Sequence, residues 1–521
     1  MNLRKGCGRM SKRPPIVLNP MDTIAVLPHG AKKGEDPLEL GAPLESNIMP
    51  GHKIARKAHE QGEAIIKFGQ IIGRATQPIG AGEHVHSHNC AFSDHGQNYE
   101  IGCDYEAAKA AVPNLEARTF MGYKRANGTI GTRNYVALCS TVNCSSTVVH
   151  RAAQELQIEG AFDAYENVDG VAIFTHESGC GMNNKGLGFE ILDKVLWGHA
   201  THPNVGMALF IGLGCEVMQI SKMRENFDDP NQSLMDRFIS MTIQEEGGTR
   251  KTIDAVKAKV RELLPELNKA KREECPASEL KIALQCGASD GFSGITANPA
   301  LGVASDMLVG LGATSILSET SEIYGAEQLL LRRAVSKEVG DKLVSQIHWW
   351  EDYVEMHKGS LDNNPSPGNK AGGLTTILEK SLGATAKSGS APLTAVYDYA
   401  ERVTEHGFVF MDTPGYDPVC GTGQIAGGAH MIIFTTGRGS AYGSKPAPTI
   451  KVASNDHLFA SMPDDMDINC GDILSEGVTL EQKGAEIVEE ILKVASGAPT
   501  KSEALGLGDN EFIPWHIGAV M

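Results

Sequence analysis

From residue 121 onward, short continuous apolar runs alternate with stretches of helical periodicity. Residues 135–138, 171–174, 207–211 and 281–284 read as buried strands, and 315–317, 408–411 and 431–434 repeat the pattern later. A strand that is apolar on both faces needs cover on both. The alternation therefore predicts α/β layers with Rossmann-like, largely parallel sheets. The first part of the chain differs. Residues 21–92 carry turn signals every ~8–12 residues between short candidate strands at 23–27, 64–68 and 83–88, which predicts a small β domain. Residues 93–120 are polar and without pattern, as expected of a linker. A Lys/Glu-rich, largely helical stretch at 253–280 contains Cys275-Pro276 near its end and marks a second boundary. The expected organisation is a flexible basic tail over 1–20, a β domain over 21–92, a linker over 93–120, a middle α/β domain over 121–270 and a C-terminal α/β domain over 271–521. A chain of 521 residues exceeds what one core usually supports.

Composition narrows the functional classes. Net charge is −17, from 47 Lys+Arg and 64 Asp+Glu, which speaks against nucleic acid as a partner. An anionic substrate then needs a local basic pocket set against the overall field. Glycine supplies 58 residues, well above the typical ~7%, so many tight turns and close backbone approaches are expected. The eleven cysteines are odd in number and scattered, as reduced cytoplasmic thiols are. Arg4, Lys5, Arg9, Lys12 and Arg13 resemble a signal n-region, but Pro14, Pro15 and Pro20 interrupt the apolar run that follows. No stretch approaches the ~18 apolar residues of a membrane span.

Four successive apolar runs each lead to a cysteine: Cys139 and then Cys144, Cys180, Cys215, and Cys286, in loops rich in Gly, Asn, Asp or Glu. Ligands of open α/β sheets bind at that carboxyl edge. The opposing reading is packing, because a free thiol behaves as a small hydrophobe. None of the four forms a CxxC pair, so a zinc ribbon is not expected, whereas ligands from separate strands can hold iron or an iron–sulfur cluster. Glu319 and Glu322 follow another strand. A rigid polar loop spans Asn363 to Lys370, Lys380 and Lys387 come next, and Arg438 sits between glycines after a strand, where it suits a carboxylate. His84, His86 and His88 alternate, so a strand would place all three on one face, toward a metal or substrate. Gly212-Leu-Gly214 lacks the third glycine of a dinucleotide fingerprint, and neither a GxxxxGK loop nor a GxSxG elbow occurs.

The segments GYKRANGTIGTRN (122–134), GLGCE (212–216), CGASDGFSGITANP (286–299), NPSPGNK (364–370) and FTTGRG (434–439) closely resemble the altronate/galactarate dehydratase family. The resemblance runs from about residue 20 to the C-terminus. It implies an N-terminal SAF-like β domain followed by two α/β domains, and a homodimer or higher oligomer. It also implies ferrous iron, with Mn(2+) as a substitute, and a sugar-acid substrate. The segment around His84, His86 and His88 is similar to the altronate branch, whereas Pro418-Val-Cys420-Gly421 looks more like the galactarate branch. A related sulfolactate lyase shares the motifs but is usually divided between two chains.

Dehydration of such an acid removes a weakly acidic C2 proton and then the C3 hydroxyl, so it needs a base and fixed positive charge for the enediolate. The expected roles follow from that chemistry and the resemblance. Cys180, Cys215, Cys286 and His86 are the metal ligands. His176 or Glu319 is the base, and Lys370 assists catalysis by holding carboxylate. His84, His86, Asn134, Asp290, Asn298, Asn369 and Arg438 contact substrate. The competing classes are an iron–sulfur redox protein and a non-catalytic sugar-acid binding protein.

Overall fold

The structure, a computed structural model, describes residues 13–93, 99–220 and 238–518. Its N-terminal domain is built from short antiparallel strands. β1 (Ile24–Val26), β2 (Lys53–Ala55) and β5 (His84–Val85) form one sheet; β3 (Ala64–Lys67), β4 (Gln70–Ala75) and β6 (Cys90–Ala91) form another. Strands this short bury little by themselves. The core of Ile24, Val26, Ile65, Ile72 and Val85 is completed by Ile295 and Leu382 from the C-terminal domain. Lys53 and Lys67, both buried, donate to the two oxygens of Glu379, each at 2.8 Å. The pair of ammoniums keeps Glu379 ionised, well below the usual carboxylate range, although burial alone would act the other way.

Three expectations for this region need correction. The strand expected over 83–88 is only His84–Val85, because Asn89 accepts from the His86 N–H and turns the chain. The tail expected over 1–20 is ordered in its last part, where Ile16 and Val26 exchange backbone hydrogen bonds; residues 1–12 lie outside the described part. The linker expected over 93–120 contains the helix Tyr105–Ala111 and β7 (Thr119–Lys124). It is pinned by the hydrogen bond from Tyr99 to Glu327 and by Asp104 against Arg332, contacts that lie too far apart in sequence for composition to show.

In the middle domain β9 (Tyr135–Ser140), β10 (Val171–Phe174), β11 (Val205–Gly212) and β12 (Phe238–Thr242) form a parallel sheet in the order β10-β9-β11-β12. All six residues of β9 are buried. Helices Asn143–Ile158 and Thr249–Leu267 cover one face, and Leu187–Ala200 covers the other. β7 and the short β8 (Ile130–Gly131) precede this sheet. β13 (Glu273–Pro276) follows it and pairs antiparallel with β7, joining the middle and C-terminal domains.

The C-terminal domain is a seven-stranded parallel sheet, counted among the described residues. Its strands are β14 (Lys281–Gly287), β15 (Thr314–Leu317), β16 (Leu393–Tyr397), β17 (Gly407–Met411), β18 (Met431–Thr436), β19 (Thr449–Ala453) and β20 (Ile468–Asn469), in the order β16-β17-β15-β14-β18-β19-β20. Chain order reverses between β14 and β18, so a crevice opens outside their carboxyl ends. No described helix is long and apolar enough to cross a membrane.

Candidate active site

Cys286 is the penultimate residue of β14 and Glu319 follows the end of β15, both fully buried. Glu319 holds a φ of 69°, a left-handed conformation uncommon for a residue with a Cβ and concentrated at functional sites. One carboxylate oxygen accepts from Lys387 at 2.6 Å, and the other, equally buried, has no partner. Beside it Glu322 accepts from Lys380 at 2.5 Å and from the Asn364 amide at 2.8 Å. The Cys286 thiol lies 3.9 Å from Glu319 and 3.8 Å from Glu322. Burial pushes Glu319 up to about 7 against the pull of Lys387, and it pushes Asp417 to about 8, helped by Glu319 and Glu322. A carboxyl poised near neutrality, with one unpartnered oxygen, has the properties of a general base.

Donor atoms of Cys286, Glu319 and Glu322 converge within 4.8 Å, a spacing that admits an ion. The chemistry does not favour one. Both carboxylates already carry a buried ammonium, and burial pushes the thiol up to about 12. Adding a dication among two ammoniums is unfavourable in so dry a place. The set reads as an acid–base cluster, and Cys286 is corrected from iron ligand to a neutral thiol within it.

Next to the cluster, a cleft of about 600 Å³ is lined by Asp290, Phe292, Gly437, Arg438, Asn455 and His457, with Met49 and Pro50 of the N-terminal domain. Asp290 is buried and accepts from the Phe292 and Ser293 N–H groups and from Ser293, Ser454 and Asn455 side chains. It thereby ties together the loops after β14 and β19. Its carboxyl packs so close to Gly437 that a Cβ there would lie 2.3 Å from it. Arg438 is exposed at this cleft, and its guanidinium pairs with no carboxylate among the described residues. Lys370, next to the cleft-lining Ala371, also has an ammonium without an ion pair among them. These are the two cations available to an anionic ligand here.

The histidines meet this rim from the other side. His52 bonds His84 at 3.1 Å and the Ala371 carbonyl at 3.2 Å, while His86 bonds the Lys370 carbonyl at 2.8 Å. Ring centroids of His52, His84 and His86 lie 5.1–5.4 Å apart, and His88 lies tilted 5.6 Å from His84. Burial and neighbouring imidazoles pull His84 down to about 3, and burial also lowers His52 and His86, which favours the neutral form of these three rings. Ser87 contacts the remaining His86 nitrogen at 3.0 Å. With both nitrogens engaged, His86 is corrected from metal ligand to a docking contact. His52 was not singled out because it belongs to no repeated spacing.

Other expected site residues are spread through the fold. Asn134 lies at the amino end of β9, bonded to Arg125, Asn167 and Leu267, which corrects it from substrate contact to scaffold. Asn298 bonds the Gly383 carbonyl and accepts from Thr435; Asn369 caps its own turn and bonds the Ser289 carbonyl. Their amides are committed internally, so both are corrected to scaffold. His176 belongs to the middle domain, bonded to the Ser140 carbonyl and Ser178, and burial pulls it down to about 4. Cys180 and Cys215 are exposed in the middle domain and Cys286 is buried in the C-terminal one, and among the described residues these three thiols do not converge within 4.8 Å.

Comparison with known proteins agrees with this architecture. Residues 14–93 match the altronate/galactarate dehydratase SAF domain, 122–268 the second domain of D-galactarate dehydratase/altronate hydrolase, and 277–520 the C-terminal domain of D-galactarate/altronate dehydratase. The chain is 36% identical to an altronate dehydratase of Bacillus subtilis over 92% of its length and 95% of the relative's. It is 36% identical to an L-threo-forming galactarate dehydratase of Escherichia coli, covering 94% and 95%, and 35% identical to an altronate dehydratase of the same organism, covering 94% and 96%. The chain belongs to the altronate/galactarate dehydratase family and is accordingly a carbon–oxygen lyase.

Proposed function

We propose that this chain dehydrates a six-carbon sugar acid, D-altronate in the first instance, to a 2-keto-3-deoxy acid. The observation that carries the reading is Glu319: left-handed, buried against Lys387, and with an unpartnered carboxylate oxygen after a strand of the C-terminal sheet. Glu319 takes the C2 proton. Arg438 and Lys370 hold the carboxylate, whose charge rises as the enediolate forms. The C3 hydroxyl leaves with a proton as water, and the resulting enol becomes the ketone. Asp417, held protonated near neutrality, is placed to supply that proton. Because Glu319 is fully buried, the mechanism requires the 363–373 loop, which reaches Lys380 and Glu322 through Asn364, to open for substrate. Cys180 and Cys215, exposed in the middle domain, are the thiol donors that would suit iron, which when bound would supply Lewis acidity. Free exposed thiols also suit a reducing cytoplasm.

Near-equal identities to altronate and galactarate enzymes do not separate the two substrates. Altronate is put first on the resemblance of the histidine segment, although the galactarate-like segment adjoins Asp417. The galactarate-like Pro418 to Gly421 segment is a packed helix start with Cys420 buried and Gly421 against Tyr442. The altronate-like histidine segment borders the cleft. The test is an anaerobic assay of iron-loaded protein against a panel of hexonates and hexarates, with the keto product read by a carbonyl reagent. Altronate turning over fastest is the expected result. Preference for galactarate overturns the substrate, and no product from any acid overturns the reaction.

A further inference from the structure

A second cleft, of about 720 Å³, lies where three parts of the chain meet, and it shares no lining residue with the cleft at Arg438. Phe68 comes from the N-terminal domain, Ala107 and Ala111 from the helix Tyr105–Ala111, and Ile295 and Leu382 from the C-terminal domain. Leu329, also at its wall, is 39% exposed. Largely apolar walls at such a junction, around a volume of this size, are the usual make-up of a small-molecule site.

One part of the lining is different. Arg333 belongs to it yet is buried, with its guanidinium 4.9 Å over the Phe408 ring. It donates to the Gly389 carbonyl at 2.6 Å and to the Ser388 hydroxyl at 2.5 Å, while its Nε has no partner. Thr385, in the same lining, likewise has a buried hydroxyl without a partner. Arg333 forms no ion pair among the described residues. Asp306 is the acid that acts on its charge, but that carboxylate already accepts from Ser390 and from the Ala391 N–H. Burial accordingly pulls Arg333 down to about 10. A buried cation without a paired anion, beside a second unpartnered polar group, is costly unless a ligand completes it.

We propose that this cleft binds a small monocarboxylate with an apolar body, its carboxylate at Arg333 and Thr385, and that occupancy lowers the activity of the distant site. Arg333 is the one cation in the described lining, and Asp104, held by Arg332 at 2.9 Å, is the one acid. A second carboxylate would therefore find no partner, and the apolar walls do not suit a hydroxyl-rich chain. Both points separate this ligand from the sugar acid. The route to the chemistry is one turn of chain. Thr385, Ala386 and Ser388 line the cleft, and Lys387 among them donates to Glu319 at 2.6 Å. A carboxylate that draws Arg333 away from Ser388 loosens the turn Ala386–Ser388 and the lysine it carries. This second half rests on Glu319 as the base; the binding does not.

The test is calorimetric titration of the full-length protein with 3-phenylpropanoate, beside the uncharged 3-phenylpropan-1-ol. The acid is expected to bind, and the alcohol at least about ten-fold more weakly, as the loss of a charged hydrogen-bond partner implies. Arg333→Lys should weaken the acid by a similar factor, since a lysine keeps the charge but not the fork. Because Arg333 is buried, a second variant avoids its fold: Ala107→Trp, at an exposed helix position, fills the cleft and should abolish binding with circular dichroism and basal kcat unchanged. In the iron-loaded enzyme, saturating 3-phenylpropanoate should lower kcat without raising KM for the sugar acid. No binding, equal affinity for the alcohol, or undiminished binding in Ala107→Trp overturns the site. Competitive inhibition puts the probe in the substrate cleft and overturns it as well, while binding with kcat unmoved overturns the link through Lys387. Calorimetry needs no turnover, so failure of the sugar-acid assay leaves the binding result intact.

Discussion

The middle and C-terminal domains present the same structural opportunity, the carboxyl edge of a parallel sheet, and fill it with opposite chemistry. The C-terminal edge is closed and charged: Glu319, Glu322, Lys380 and Lys387 are all buried and mutually paired. The middle edge is open and soft, with three exposed thiols on loops held by backbone hydrogen bonds rather than by charge. The difference teaches that a cluster of possible ligands is not equivalent to a metal site. At the C-terminal edge the donors are spent on ammoniums and on shifting one another's protons, which is what acid–base work needs. At the middle edge the thiols of Cys144, Cys180 and Cys215 are exposed.

The largest effect that tests this division is Glu319→Gln. Losing a general base is expected to lower kcat about 10²–10⁴-fold with the iron content of the loaded protein unchanged. An equal loss of iron would merge the two edges into one site. The kcat profile sharpens the point. Burial raises Glu319 to about 7, so the basic form is lost as pH falls through that value, and wild-type kcat should fall with it; the Gln variant should lack this limb.

A second effect separates the edges by the sign of their pH dependence. In the middle domain His176 and His199 are held near 4 by burial, so the unfolded state binds more protons below about 6.5. Their contribution is complete above that value and is lost as pH falls toward 4. For fully buried His199 this amounts to roughly 1–2 kcal/mol at pH 5. Glu319 and Asp417 have folded values raised to about 7 and about 8. Their contribution is present below the unfolded carboxylate range and is lost as pH rises through the folded values. Amide hydrogen exchange, corrected for intrinsic rates, should therefore show protection rising with pH around 176–199 and falling with pH around 317–322. Parallel slopes would refute the contrast.

The smallest effects distinguish ligand contacts from scaffold. Arg438→Ala at the exposed cleft should change stability by no more than about 0.5 kcal/mol while raising KM for the acid. Asn134→Ala should cost about 1–3 kcal/mol, because it strands buried partners, and leave KM of the folded enzyme as it was. Denaturant unfolding and steady-state kinetics on the same preparations check both.

Much of this protein was legible in its order of residues. Residues 135–138, 171–174 and 281–284 read as buried strands because a run apolar on both faces has few other places to go, and the structure places them inside β9, β10 and β14. Glu319 and Arg438 were legible as chemistry because each follows such a strand. The errors share a cause. Asn134, Asn298 and Asn369 lie in conspicuous motifs, but their amides are consumed by carbonyls 33, 85 and 80 residues away. The 93–120 stretch shows no periodicity of its own because its order comes from contacts with Glu327 and Arg332.

The amino-acid sequence by itself determined the class of fold, the division into a β unit and two α/β units, and the family, since apolar periodicity and long motifs are local properties of the chain. Only the tertiary structure decided which reactive groups share a site. It moved Cys286 away from Cys180 and Cys215, gave Glu319 its lysine, and set His52 beside His84. The physical reason is that burial, proton affinity and ligand availability depend on what surrounds a side chain in space, and those neighbours are contributed by segments hundreds of residues apart as readily as by adjacent ones.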